Sequence, residues 1–174
     1  IFEAPVTDQA GTTAKVIDGI KSLLIAGLAS TTQPMQSVVL SAGITKANAF
    51  DLVEEFVESF DPLLEGTKMR VYMDPKILRW YHQDKRNSHG SDVNYNPDKP
   101  TIDFSTHELI GLPSMAGEKY LWSTPVDNFL YIRRQNGMKK PKIEESKREV
   151  FLMADWWEGL GFGHNELVYV ASWA

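Results

Sequence analysis

The four histidines are the first residues to consider for metal binding or acid–base chemistry. His82 and His89 lie seven positions apart, which puts them near one face of a helix if that helix reaches the second residue. Residues 87–90 (NSHG) predict that the helix ends first, so we expect two exposed histidines rather than paired metal ligands. His107 precedes Glu108 on a predicted strand, and we expect it at the surface.

A carboxylate and imidazole cluster is the second candidate for chemistry. His164 precedes Glu166 at a predicted turn, and Asp155 and Glu158 lie upstream of it. Carboxylates beside an imidazole are the groups that general acid–base catalysis uses. A small α+β enzyme that uses Asp155, Glu158 and His164 is one interpretation, and a solvated turn is the other. The solvated turn is favoured because no nucleophile or cofactor motif accompanies these residues.

The motifs with a clear catalytic or cofactor chemistry are absent from the sequence. It contains no GxSxG elbow, no GxxxxGK[ST] phosphate loop and no HExxH zinc helix. There are no cysteines, which excludes disulfides, thiolate catalysis and cysteine-ligated metals. We therefore expect no catalytic residues, no metal and no cofactor.

A basic stretch surrounds the predicted Gln135-Asn136-Gly137 turn. A solvated loop is the simplest interpretation of such a run. The functional alternative is a surface that contacts DNA or an acidic face of a neighbouring subunit, for which the carboxylates of residues 51–58 are one candidate. This candidate basic loop consists of Arg133, Arg134, Lys139, Lys140 and Lys142.

Aromatic residues cluster near the C-terminal end, where Trp156 and Trp157 are adjacent and Phe151 and Phe162 flank them. They could form a ligand platform. Neighbouring strand residues point to opposite faces, however, so one tryptophan in the core and one at an interface is a sufficient explanation.

Composition limits the class of protein. The chain has 174 residues, 43% of them hydrophobic, enough for one compact core or two small packed subdomains. A formal net charge of -5 argues against the whole chain being a nucleic-acid binder. No apolar run approaches the roughly 20 residues of a membrane helix, and no signal peptide is recognisable, so we expect a soluble, unexported chain. It begins without Met and in mid-pattern, which suggests a processed product or a piece of something longer.

Apolar spacing predicts three helices. The first covers residues 13–29, and the second carries a stripe from Ala49 to Phe60, with Thr45 as a plausible cap and Pro62 ending it. The third follows the alternating strand of residues 69–73, because Asp74-Pro75 supplies an N-cap and a proline at the first helical position, and it covers residues 74–87.

After a loop at residues 91–100, short apolar pieces between turn residues predict strands. Residues 38–40 are a further short strand or an extended connector. Because helices mostly precede strands, the class is α+β with a mainly antiparallel sheet and flanking helices. The predicted later strands cover residues 102–104, 109–112, 120–122, 129–132, 150–153 and 167–170, with a turn at residues 113–117.

Three segments together resemble the C-terminal part of tailed-phage major capsid proteins of the Hong Kong 97 type. Residues 70–81 (RVYMDPKILRWY) are similar to that family's strand, Ser/Asp-Pro turn and aromatic-rich helix. Residues 102–124 contain LPSMAG between two strands and LWSTP leading into NFL. Residues 151–159 (FLMADWWEG) and 166–170 (ELVYV) resemble its final strands. The resemblance is strongest from Met69 to Ala171 and extends back to about Asp18.

The resemblance implies the phage major capsid fold, with peripheral and axial subdomains interleaved along residues 1–174. It also implies that the family's N-terminal arm and extended loop are missing here. The implied function is structural: the full-length protein would form pentamers and hexamers of an icosahedral phage or prophage head enclosing double-stranded DNA.

The implied partners are copies of the chain itself, with a scaffold, a portal and packaged DNA as further candidates and no membrane. The implied location is the virion capsid, and the host cytoplasm during assembly. The chain of 174 residues alone could be monomeric, since the interlocking arms are missing. A head-completion or tail protein, which forms a single small ring, is the alternative structural role.

Overall fold

A computed structural model describes residues 19–89, 102, 105–133, 142–146, 149–153 and 158–173. Within these, three α-helices and nine strands follow one another along the chain. In chain order they are α1 (Ile20–Ala29), β1 (Gln36–Val38), α2 (Ala49–Glu58), β2 (Met69–Met73), α3 (Pro75–His89), β3 (Glu108–Gly111), β4 (Tyr120–Pro125), β5 (Phe129–Arg133), β6 (Lys142–Ser146), β7 (Glu149–Met153), β8 (Glu158–Phe162) and β9 (Tyr169–Ser172). None of the described helices is long and apolar enough to cross a membrane.

The central sheet has the strand order β1-β9-β4-β2-β3. Its middle strand β4 is antiparallel to both β9 and β2, whereas the edge strands β1 and β3 pair in parallel. The sheet is therefore mixed, and the prediction of a mainly antiparallel sheet is wrong at both edges. At one edge the cause is α3, which carries the chain back so that β3 starts at the same end as β2. The α+β class is confirmed.

The sheet separates two hydrophobic clusters. In β2, Met69, Val71 and Met73 are fully buried and pack on the side of α2 and α3, which contribute Phe56 and Tyr81. The opposite face carries Trp122 from β4, which packs with Leu24 of α1. This alternation of neighbouring residues between two apolar faces explains why both sides of the sheet are covered by helices.

Two antiparallel ribbons lie between β4 and β9 in the sequence. Strand β5 pairs with β8, and the pair β6–β7 is inserted between them. We call these the outer ribbon pair, residues 129–133, 142–146, 149–153 and 158–162. Strands β6 and β8 were not predicted, and β6 includes Lys142, which the sequence placed in a loop.

Several boundaries differ from the sequence predictions. Helix α1 is described from Ile20, and residues 13–18 lie outside the described part of the chain. Strand β1 covers residues 36–38 and shares only Val38 with the predicted residues 38–40. Residue Ile102 belongs to no strand, although it is buried and its amide donates to the His107 carbonyl. Strand β9 starts at Tyr169 because residues 165–167 form a 3-10 turn.

The start of α2 is also organised differently. The N-cap is Asn48, and its Oδ1 accepts hydrogen bonds from the amide and hydroxyl of Thr45. The carboxylate of Asp84 on α3 accepts the Phe50 amide at 3.0 Å, and so satisfies a donor of the first turn of α2. The prediction that Thr45 caps this helix is therefore wrong.

Candidate functional site

The first junction that holds the fold together is centred on Asp74. Its Oδ1 accepts the Lys76 amide at 2.7 Å, as predicted for an N-cap, and its Oδ2 accepts the Gly117 amide at 2.8 Å. Gly117 has a φ of 83°, a left-handed conformation that favours glycine. One buried carboxylate thus joins the start of α3 to the predicted turn at residues 113–117.

A second junction holds the base of the outer ribbon pair. The buried Asn128 side chain donates to Thr124 Oγ1 and to the His164 carbonyl, both at 2.8 Å, and accepts the His164 amide at 2.7 Å. The Gly163 amide also donates to the Asn128 carbonyl at 2.9 Å. The rings of Phe129 and Phe162 pack against Trp122. The ribbon β5–β8 is therefore fixed to the central sheet where it begins and where it ends.

The outer ribbon pair exposes apolar side chains. Nine large hydrophobic side chains are exposed among the described residues, and five of these belong to β5, β6 and β7. Glycines 159 and 161 face Ile132 and Leu130 across the ribbon, so no side chain covers those two from the partner strand. The five, between 41% and 68% exposed, are Leu130, Tyr131, Ile132, Ile143 and Val150.

The predicted basic loop is only partly described. Arg133 is the last residue of β5 and Lys142 the first of β6, so these two lie on strands and not in a loop. Arg134, Lys139 and Lys140 lie outside the described residues. The structure therefore brings the two ends of this segment onto the outer ribbon pair.

Three histidine predictions are corrected by the structure. Helix α3 reaches His89 rather than fading at Asn87. His82 is half-buried, and burial followed by the charge of Lys85 lowers the pKa of its imidazole. His107 is not at the surface, because Phe60 packs edge-on against its ring with the centroids 5.5 Å apart. No three of the described His, Asp or Glu side chains could together hold a metal ion.

The structure describes the proposed acid–base cluster only in part. His164 is exposed and directly precedes the 3-10 turn of residues 165–167, in agreement with the predicted turn. Asp155 and the two adjacent tryptophans lie outside the described residues, and Glu158 begins β8.

A cavity of about 310 Å³ opens beside the end of α2 and the residues before β3. Its apolar lining includes Val57, Phe60 and Ile102. His107, 4% exposed, also lines it, and its Nδ1 has no hydrogen-bond partner among the described residues. Burial lowers the pKa of this imidazole. Four carboxylates line the same cavity, those of Glu54, Glu58, Asp61 and Glu65.

The edge of the sheet next to this cavity carries an ion-pair cluster. Glu108 on β3 lies 2.6 Å from Lys68 Nζ and 3.3 Å from Arg70 Nε. The hydrogen bond from Lys68, and then that from Arg70, hold the pKa of Glu108 below its ordinary value of 4.5. These two cations are therefore already paired with a carboxylate outside the cavity.

Comparison with known proteins identifies the architecture. No family model matches the sequence, and no curated protein matches it either. A chain of the satellite phage P4 procapsid, a structure that includes the size determination (Sid) protein, matches with a TM-score of 0.57. The match covers 97% of this chain and 56% of that one, at 10% identity. The chain has a capsid-type fold.

A second solved structure agrees with this assignment. A chain of the capsid of an empty GTA particle matches with a TM-score of 0.55 and 12% identity, over 94% of this chain and 63% of that one. The chain thus spans less than two thirds of each neighbour. The two alignments leave 3% and 6% of this chain uncovered.

Proposed function

We propose that this chain is the core of a structural subunit of a phage or prophage head of the Hong Kong 97 type, with no catalytic role. The observation that carries the proposal is the capsid-type fold along 97% and 94% of the chain. In this function the complete protein self-associates into pentamers and hexamers that close an icosahedral shell around double-stranded DNA. Peripheral and axial subdomains would be interleaved along the chain.

The outer ribbon pair supports self-association. Isolated two-stranded ribbons are marginally stable in water, and monomeric proteins rarely expose clustered large apolar side chains. Contact with another subunit would bury these side chains, at a gain of about 25 cal/mol per Å² of apolar surface. Symmetry would repeat this contact around the shell, so that many modest contacts add up.

Electron microscopy of the complete protein tests the proposal, with closed shells as the expected product. Substituting the ribbon residues, Ile132→Asp with Ile143→Asp, should abolish capsomers while thermal unfolding of the chain stays unchanged. The matched control is Val39→Asp with Leu63→Asp, two side chains that are 86% and 89% exposed outside the ribbons. Single small rings, or no particles from the unsubstituted protein, would contradict the proposal.

A further inference from the structure

The cavity beside α2 has the properties of a receptor for a cationic side chain. Four carboxylates line it, and no lysine or arginine is among the described residues around it. Converging like charges raise the local negative potential and attract a cation. The cavity combines these carboxylates with apolar surface, and this combination favours a cation that carries an alkyl stem.

The buried part of the cavity matches the rest of such a side chain. Val57, Phe60 and Ile102 offer apolar surface to an alkyl stem, since lysine and arginine bury their methylenes while the charged head finds polar partners. The depressed pKa of His107 leaves its imidazole neutral at pH 7, so one ring nitrogen is an acceptor. At about 310 Å³ the cavity accommodates a side chain rather than a folded element.

The chain itself contains a complementary segment. Five of its 18 lysines and arginines fall between residues 133 and 142. The β5–β8 ribbon packs at its base on the Trp122 side of the sheet, whereas Phe60 and Ile102 belong to the cluster on the α2 side. Cavity and ribbon base thus lie on opposite faces, an arrangement that favours a head-to-tail contact between copies.

We propose that the acidic cavity receives a lysine or arginine side chain from residues 133–142 of a neighbouring copy. This inference rests on the proposed function, because it names a contact through which subunits would meet. In this contact the basic segment binds in the cavity of a neighbouring copy and the buried His107 accepts a hydrogen bond from it. The capsid-type fold by itself specifies neither role.

Binding of a labelled peptide of residues 133–142 (RRQNGMKKPK) to the chain tests the receptor. Fluorescence anisotropy should show at least a tenfold loss of affinity in the double variant Glu58→Gln with Glu65→Gln. The matched control is Asp127→Asn with Glu166→Gln, which removes the same charge from exposed positions away from the cavity and should change affinity less than twofold. His107→Phe should weaken binding several-fold, since it keeps a ring but removes the acceptor. Equal losses in the two double variants would overturn the inference.

Disulfide trapping identifies the copy that supplies the segment. Because the chain has no cysteine, Glu58→Cys with Lys140→Cys introduces the only pair. Disulfide-linked oligomers on a non-reducing gel would support the inference, and Asp127→Cys in place of Glu58→Cys should give none. A crosslink within one chain, or no crosslink, would overturn it. If the complete protein forms shells and the cavity variants do not affect their formation, this contact alone is refuted. If the peptide binds to the cavity but the complete protein forms no shells, the proposed function alone is refuted.

Discussion

Replacing Asp74 with alanine should be among the most destabilising substitutions of a polar residue in this fold. The carboxylate accepts two backbone amides, at 2.7 and 2.8 Å, from a buried position. Hydrogen bonds to charged groups contribute about 1.5 to 3 kcal/mol each, and their loss leaves two amides without an acceptor. We therefore expect Asp74→Ala to lower the free energy of unfolding by about 3 kcal/mol, which for a chain of this size lowers Tm by about 6 to 12 °C.

The chain provides a matched control for this substitution. Asp61 also precedes a proline and accepts the amide two residues later, at 2.9 Å, but it is exposed and caps only a 3-10 turn. Asp61→Ala should cost about 1 kcal/mol. Asp74→Asn keeps one acceptor oxygen and should fall between the two alanine variants, with faster hydrogen exchange at the Gly117 amide. Urea unfolding followed by tryptophan fluorescence gives all three values. If Asp74→Ala costs no more than Asp61→Ala, the junction between α3 and the 113–117 turn does not stabilise the fold.

Three further predictions follow from the described contacts. Gly117→Ala should lower the free energy of unfolding by about 1 to 2 kcal/mol, because Gly117 has a positive φ. Gly66 has open space around it and no such φ, so Gly66→Ala should leave thermal unfolding unchanged or raise Tm slightly. Asn128→Ala should cost about 2 to 3 kcal/mol through three lost hydrogen bonds, and limited proteolysis should then cut the outer ribbon pair before the central sheet. The pKa of Glu108, measured by NMR, should rise in Lys68→Met, and an unchanged pKa would refute the pairing. Because the pKa of Glu108 is depressed in the folded chain, the ionised carboxylate stabilises the fold above pH about 4.5, and this stabilisation should be lost on further acidification.

The elements that were predictable from sequence are those whose local pattern agrees with their environment. Residues 69–73 alternate because β2 buries one face under α2 and α3, and Asp74-Pro75 specifies a helix start without help from distant residues. The third helix and the turn at residues 113–117 follow for the same reason. These elements lie in two of the three segments on which the resemblance to capsid proteins depends, residues 70–81 and 102–124.

The elements that were missed depend on partners far away in the chain. Strand β8 (EGLGF) contains two glycines and β6 (KIEES) is mostly polar, so neither has the alternation of a strand, and both are defined by cross-strand pairing. His107 lies between two polar neighbours and looked exposed, but Phe60 covers its ring. The cavity could not be predicted, because it forms only where the end of α2 meets the residues before β3.

The hydrogen bonds that join Asn128 to Gly163 and His164 have a consequence for how such a protein can change during evolution. The chain leaves the central sheet after β4 and returns to it at β9, and these hydrogen bonds hold the two points together. The length of the segment inserted between them therefore does not affect the packing of the core. Ends that lie close together are where whole segments can be exchanged, lengthened or grafted without unfolding the rest. The segment between β4 and β9 could therefore change in the course of evolution while the central sheet stays conserved.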